Sequence, residues 1–213
     1  MEYFATQHGL HIQDPLFRSI SLTPRNLAIA RSITAPSTLG PNPVVLQSMI
    51  ICKQPEIGGA VPSHQDSTFL YTNPPSAVGF WYALEDTTVE NGCLSFVPGS
   101  HLWEPIRKRF IRVEGDGTGF MDLEEGGKWG DGLPEGTVGR RKDEEMPGER
   151  FTVGEVKKGT LVLIHGNILH KSERNLSERS RHIYTFHSEY LFCWCCAVCD
   201  TDGSDGDRYK WGL

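Results

Sequence analysis

Short apolar runs, each cut off by a turn former, constrain this chain more than any other feature. They fall at 44–51, 78–84, 93–97, 151–156, 160–165 and 182–187. Each is strand-sized and rich in β-branched or aromatic residues, the signature of strands buried on at least one face. Glu90-Asn91-Gly92 supplies a tight turn, because Asn-Gly tolerates positive φ. Gly159 separates two of the runs, and Pro98-Gly99 stops a third. Helical signals are sparse. Asp14-Pro15-Leu16-Phe17 reads as a turn into a short helix, and 67–71 as a strand end. Many short strands with minor helices predict an all-β fold, a barrel or a two-sheet sandwich. One domain is expected over 1–190.

Two stretches break the pattern. Ten glycines fall between Gly115 and Gly148, interleaved with charges and few apolar residues, so 103–150 reads as an insertion loop. The stretch 191–213 is Cys-rich and then polar, and is expected to be a disordered tail foreign to the domain. Its cysteines, Cys193, Cys195, Cys196 and Cys199, contain one knuckle spacing. A closed zinc site draws on two separated pairs, and no second pair exists here. Cys52 and Cys93 sit in strand-like runs and read as small buried hydrophobes. Without a secretory signal a disulfide framework is not expected.

A net charge of −6 argues against a chain that grips nucleic acid, which needs a cationic surface. No apolar run approaches the ~20 residues of a membrane span. No cationic start leads into an apolar stretch, and Lys210-Trp211-Gly212-Leu213 is not a peroxisomal address. These features predict a cytoplasmic protein with no nucleic-acid or membrane partner. They say nothing of oligomeric state.

The first chemical signal is His64-Gln65-Asp66. On an extended segment residues two apart project to the same side, so the imidazole and carboxylate converge. With a distant second histidine they form the facial triad of non-haem Fe(II) oxygenases, which leaves coordination positions open. His165 and His170 flank Gly166 at the end of one strand, and periodicity does not choose between them. Eleven residues past His170 comes Arg181. A buried arginine there would clamp a dicarboxylate through a bidentate contact.

At these residues the sequence resembles the phytanoyl-CoA dioxygenase family of Fe(II)/2-oxoglutarate oxygenases, closest to its domain-containing branch. The resemblance runs from about His8 to Tyr190. It rests on Ser63-His64-Gln65-Asp66, Glu90-Asn91-Gly92-Cys93-Leu94, Pro98-Gly99-Ser100-His101, Leu161-Val162-Leu163-Ile164-His165-Gly166, His170-Lys171-Ser172 and Tyr184-Thr185-Phe186-His187. It implies a double-stranded β-helix, the jelly-roll of cupin-like proteins. It implies Fe(II) held by His64, Asp66 and His170 as the catalytic residues, with 2-oxoglutarate and O₂ as co-substrates. It places the far carboxylate of 2-oxoglutarate on Arg181, helped by Ser172, and lines the co-substrate pocket with Met49 and Trp81. His165, His182 and His187 are expected to be structural or to support the ligands. Family members extend further on the N-terminal side, and a family lysine that contacts 2-oxoglutarate aligns with Ala5. The implied activity is hydroxylation of a small organic or acyl substrate, with release of succinate and CO₂. The alternative is a truncated, non-catalytic jelly-roll that binds metal or a partner without turnover.

Overall fold

The computed structural model describes residues 5–34, 43–72, 75–113, 117–127 and 151–189. The expectations for the cysteine-rich tail and for 128–150 lie outside the described residues.

Two antiparallel sheets face each other. The larger runs β1-β2-β11-β4-β9, with β1 Ala5–His8, β2 Val44–Lys53, β4 Val78–Ala83, β9 Leu161–His165 and β11 Arg181–Glu189. The smaller runs β3-β10-β5-β8, with β3 Val61–His64, β5 Leu94–Phe96, β8 Thr152–Gly154 and β10 His170–Ser172. This is the jelly-roll barrel.

β4, in the interior of the larger sheet, is apolar on both faces because both faces are covered. Trp81, Ala83, Ile164 and Ile183 point between the sheets, where Ile51, Leu94, Val162 and Ile168 pack on them. On the outside, Phe80 stacks on Phe186 with ring centroids 4.7 Å apart, and Tyr184 lies beside them. Each such fully buried aromatic contributes about 2–3 kcal/mol of apolar burial. Three helices roof this outer face: α1 Leu10–Gln13, α2 Pro15–Ser21 and α3 Pro24–Thr34. The Asp14 carboxylate caps α2 by accepting from the Leu16 and Phe17 amides at 2.7 and 3.4 Å, with Pro15 in the first turn. Two tyrosines of the sheet anchor the roof. The Tyr82 hydroxyl donates to Asn26 Oδ1 at 2.6 Å, and Tyr184 Oη lies 2.7 Å from Ser21 Oγ.

Several expectations are corrected. The strands expected from the apolar runs are present, but β1, β3, β10 and the helix α3 were not anticipated. Residues 66–68 form a 3-10 turn where a strand end was expected. A short helix, α4 Ser100–Trp103, follows Pro98-Gly99. The stretch read as an insertion loop contains a two-stranded antiparallel sheet, β6 Ile106–Val113 against β7 Gly117–Gly127. Phe110 opposes Phe120 across it, with centroids 5.4 Å apart. Its glycines permit the pairing. A Cβ on Gly117 would lie 2.9 Å from a Val113 methyl carbon.

Candidate metal centre

β3 ends at His64, and Gln65 continues extended with φ −117° and ψ 130° before the turn that opens with Asp66. The turn is pinned to the far end of β9. The Ser67 amide donates to the Gly166 carbonyl at 2.9 Å, and Gly166 donates to Ala77 at 2.8 Å. Gln65 Nε2 donates to the Asn167 and Glu104 carbonyls at 2.9 and 3.1 Å. Gly166 must be glycine for this close approach, since a Cβ there would sit 2.6 Å from the Ala77 oxygen.

β10 pairs with β3 so that His170 lies opposite His64. One donor atom from each of His64, Asp66 and His170 lies within 4.8 Å of the others. The Nε2 atoms of His64 and His170 lie 3.5 and 3.6 Å from Asp66 Oδ1. Each imidazole donates its Nδ1–H to a backbone carbonyl two residues upstream, His64 to Pro62 at 2.8 Å and His170 to Ile168 at 3.0 Å. A carbonyl can only accept, so Nδ1 carries a proton, and in the neutral imidazole it is Nε2 that presents the lone pair. This is how metal-bound imidazoles are oriented. The other carboxylate oxygen, Asp66 Oδ2, accepts from His187 Nε2–H at 3.1 Å. Oδ1 is thereby left to the two imidazoles.

The electrostatics suit a cation. Burial opposes ionisation of Asp66, but His170, His187 and the hydrogen bonds from His187 and His64 outweigh it, holding the carboxyl well below its usual range. Burial likewise opposes protonation of His64, yet Asp66 and the Pro62 carbonyl raise it. Burial dominates at His170 and pushes it down, toward the neutral ligand form.

The other candidates lie along β11 and its neighbours. Arg181 is 1% exposed, its Nε has no hydrogen-bond partner among the described residues, and its guanidinium carbon stands 5.8 Å from the centroid of the Trp81 ring. Ser172 is buried at the end of β10. Met49 pairs with Thr185 across β2 and β11, on the same face of β2 as the inward Ile51. His165 is not brought to the cluster. It lies against His101, ring centroids 4.8 Å apart, accepts from the Asn167 amide, and burial pushes it down to about 4. His182 lies at the other end of the sheet, its Nδ1 3.2 Å from Glu85.

Of the three histidines expected to be structural or to support the ligands, His187 is the one in contact with Asp66. A signal exists in retrospect: 181, 183, 185 and 187 alternate onto one face of β11. Gly79, opposite His187, keeps that side open, since a Cβ there would lie 3.4 Å from His187 Nε2.

The family model of phytanoyl-CoA dioxygenases matches residues 1–183. Phytanoyl-CoA dioxygenase domain-containing protein 1 of Rattus norvegicus is 45% identical over 184 residues, covering 84% of this chain and 55% of that protein. Phytanoyl-CoA dioxygenase 1 of Oryza sativa subsp. japonica is 39% identical over 204 residues, covering 96% and 60%. The chain thus spans little more than half the length of the curated relatives it matches. Among solved structures, the non-heme alpha ketoglutarate dependent carbocyclase SnoK from nogalamycin biosynthesis superposes with a TM-score of 0.61 at 25% identity, covering 87% of this chain and 63% of that one. EctD from S. alaskensis with 2-oxoglutarate and 5-hydroxyectoine has the same fold, with a TM-score of 0.57 at 19% identity and coverage of 87% and 56%.

Proposed function

The chain belongs to the phytanoyl-CoA dioxygenase family, and from that premise we propose that its barrel works as an Fe(II)- and 2-oxoglutarate-dependent dioxygenase on a small organic or acyl substrate. One observation carries the reading: two imidazole Nε2 atoms and one carboxylate oxygen meet with their outer atoms already hydrogen-bonded. That donor set fits iron with open coordination positions. His64, Asp66 and His170 would hold it. Bound there with 2-oxoglutarate and O₂, iron supplies oxidative decarboxylation coupled to hydroxylation of a C–H bond.

The chain's own residues do the rest. Arg181 pairs with the far carboxylate of 2-oxoglutarate, a contact strengthened by its burial. Ser172 adds a hydroxyl at the same end, and Met49 and Trp81 flank the co-substrate. Ile164 and Ile183 close the interior to water. The His187 hydrogen bond keeps Asp66 ionised and aimed.

The test is anaerobic. Fe(II) and then 2-oxoglutarate are added to the purified protein, and the visible charge-transfer band of the chelate is sought. Its appearance supports the reading. Its absence in protein that is folded by circular dichroism overturns it in favour of a non-catalytic jelly-roll.

A further inference from the structure

Two cations lie buried side by side at one end of the barrel. Lys53, the last residue of β2, is directly opposite Arg181, the first residue of β11, in the antiparallel register. Lys53 is 0% exposed and Arg181 1%. Among the described residues neither is in an ion pair with a carboxylate. The nearby acids are already engaged: Glu173 with Lys171 at 2.8 Å, and Glu85 with His182 and the Ser180 hydroxyl. Glu173 and Glu85 act on the two cations only from a distance. Two like charges with no carboxylate in direct contact are costly in an interior, so the arrangement favours an anion.

The Lys53 ammonium donates to two backbone carbonyls, those of Ser172, at 3.2 Å, and Glu173. Its own carbonyl accepts from Asn175 Nδ2 at 2.9 Å, and the same amide donates to Arg179 at 2.7 Å. Gly92 leaves the space this requires. A Cβ there would collide with the Glu173 carbonyl oxygen and lie 3.1 Å from Lys53 Nζ. Lys53 therefore ties the end of β10, which carries His170 and Ser172, to the β2–β11 pair that carries Met49 and Arg181. Burial, with the Arg181 charge beside it, pushes the Lys53 ammonium down to about 7, and the Glu173 carboxylate offsets part of that.

We propose that Lys53 is a positioning residue for the co-substrate: its ammonium fixes Ser172 and Arg181 relative to each other and adds a second positive charge where the far carboxylate is received. The proposal rests on the dioxygenase reading of the same site. It predicts selectivity. Lys53 serves the far carboxylate and not the metal or the chelating 2-oxo acid end.

Binding of 2-oxoglutarate and of 2-oxopentanoate, which lacks the far carboxylate, to the Co(II)-loaded protein is measured by calorimetry for wild type, Lys53→Met and Lys53→Arg. Lys53→Met is expected to weaken 2-oxoglutarate about tenfold or more, the scale of one lost charge-assisted hydrogen bond. Co(II) and 2-oxopentanoate affinities should stay close to wild type. Lys53→Arg, which keeps the charge, should recover part of the loss. If Lys53→Met does not fold, Lys53→Arg must show the same selectivity at smaller size. Equal losses for both oxo acids, or an unchanged 2-oxoglutarate affinity, overturn the role of Lys53. A wild-type protein that binds Co(II) but no 2-oxoglutarate overturns the dioxygenase reading instead.

Discussion

His187 Nε2 lies 3.1 Å from Asp66 Oδ2, the carboxylate oxygen that neither His64 nor His170 approaches. The bond joins the larger sheet to the 3-10 turn and fixes the plane of a carboxylate that, in the proposed centre, presents its other oxygen to a cation. His187→Phe keeps the ring volume and removes the donor. It should weaken Co(II) binding about 10- to 100-fold, the usual cost of losing a group that orients a ligand. Titration of the Co(II) absorption band reads this directly, and wild-type affinity in the variant would remove His187 from the site.

His165 and His170 make opposite predictions although they are five residues apart in sequence. Alanine at His64, Asp66 or His170 should abolish stoichiometric Co(II) or Fe(II) binding in protein that remains folded. His165→Ala should retain it, because His165 faces His101 and the Asn167 amide. Elemental analysis after gel filtration decides the matter. Full metal content in His170→Ala would break the assignment.

Metal affinity should fall with pH, and in a stated order. A metal takes the neutral imidazole, so protonation competes with it. His64 is raised above its ordinary value by Asp66, against the cost of burial, and protonates first as pH drops. His170, lowered by burial, protonates later. Co(II) affinity measured from pH 8 downward should therefore begin to fall above the usual histidine range. A flat profile down to pH 5 would contradict these environments.

Glu189 is an inner-face residue at the end of β11, 1% exposed, with neither carboxylate oxygen hydrogen-bonded among the described residues. Burial pushes it up to about 8, from an ordinary value near 4.5. Between those two values the folded state binds more protons than the unfolded state, so stability falls as pH rises through that window. Glu189→Gln removes the ionisable group. It should raise stability above pH 8 by roughly 1–3 kcal/mol, the scale of desolvating one polar group, and change little near pH 4.5. Thermal melts of both proteins at the two pH values test this. An equal shift at both would show that charge is not the cause.

The residues that local patterning reveals are those whose burial is periodic along one stretch of chain. The runs at 44–51, 78–84 and 160–165 are strands in the folded protein because a sheet covered on both faces needs continuous apolar sequence. Asn91-Gly92 and Gly159 turn where expected, with φ of 79° and 85° at the two glycines. His64-x-Asp66 announced itself because Gln65 is extended, so the spacing itself sets the convergence. Other features had no such local signature. β3 and β10 are four and three residues long, too short for any period to register, and they exist because they hydrogen-bond to each other. That pairing brings His170 beside His64, while residue spacing left His165 equally eligible. The β6–β7 pair hid behind glycines and charges because its cross-strand pair, Phe110 with Phe120, follows from the hairpin register and not from a period along the chain. Lys53 and His187 acquire their places only from the β2–β11 register. Sequence alone determined the apolar strands of the barrel and which residue types could bind a cation. The tertiary structure decided which of them meet, because strand pairing joins residues far apart in the chain through backbone hydrogen bonds that every residue but proline can make.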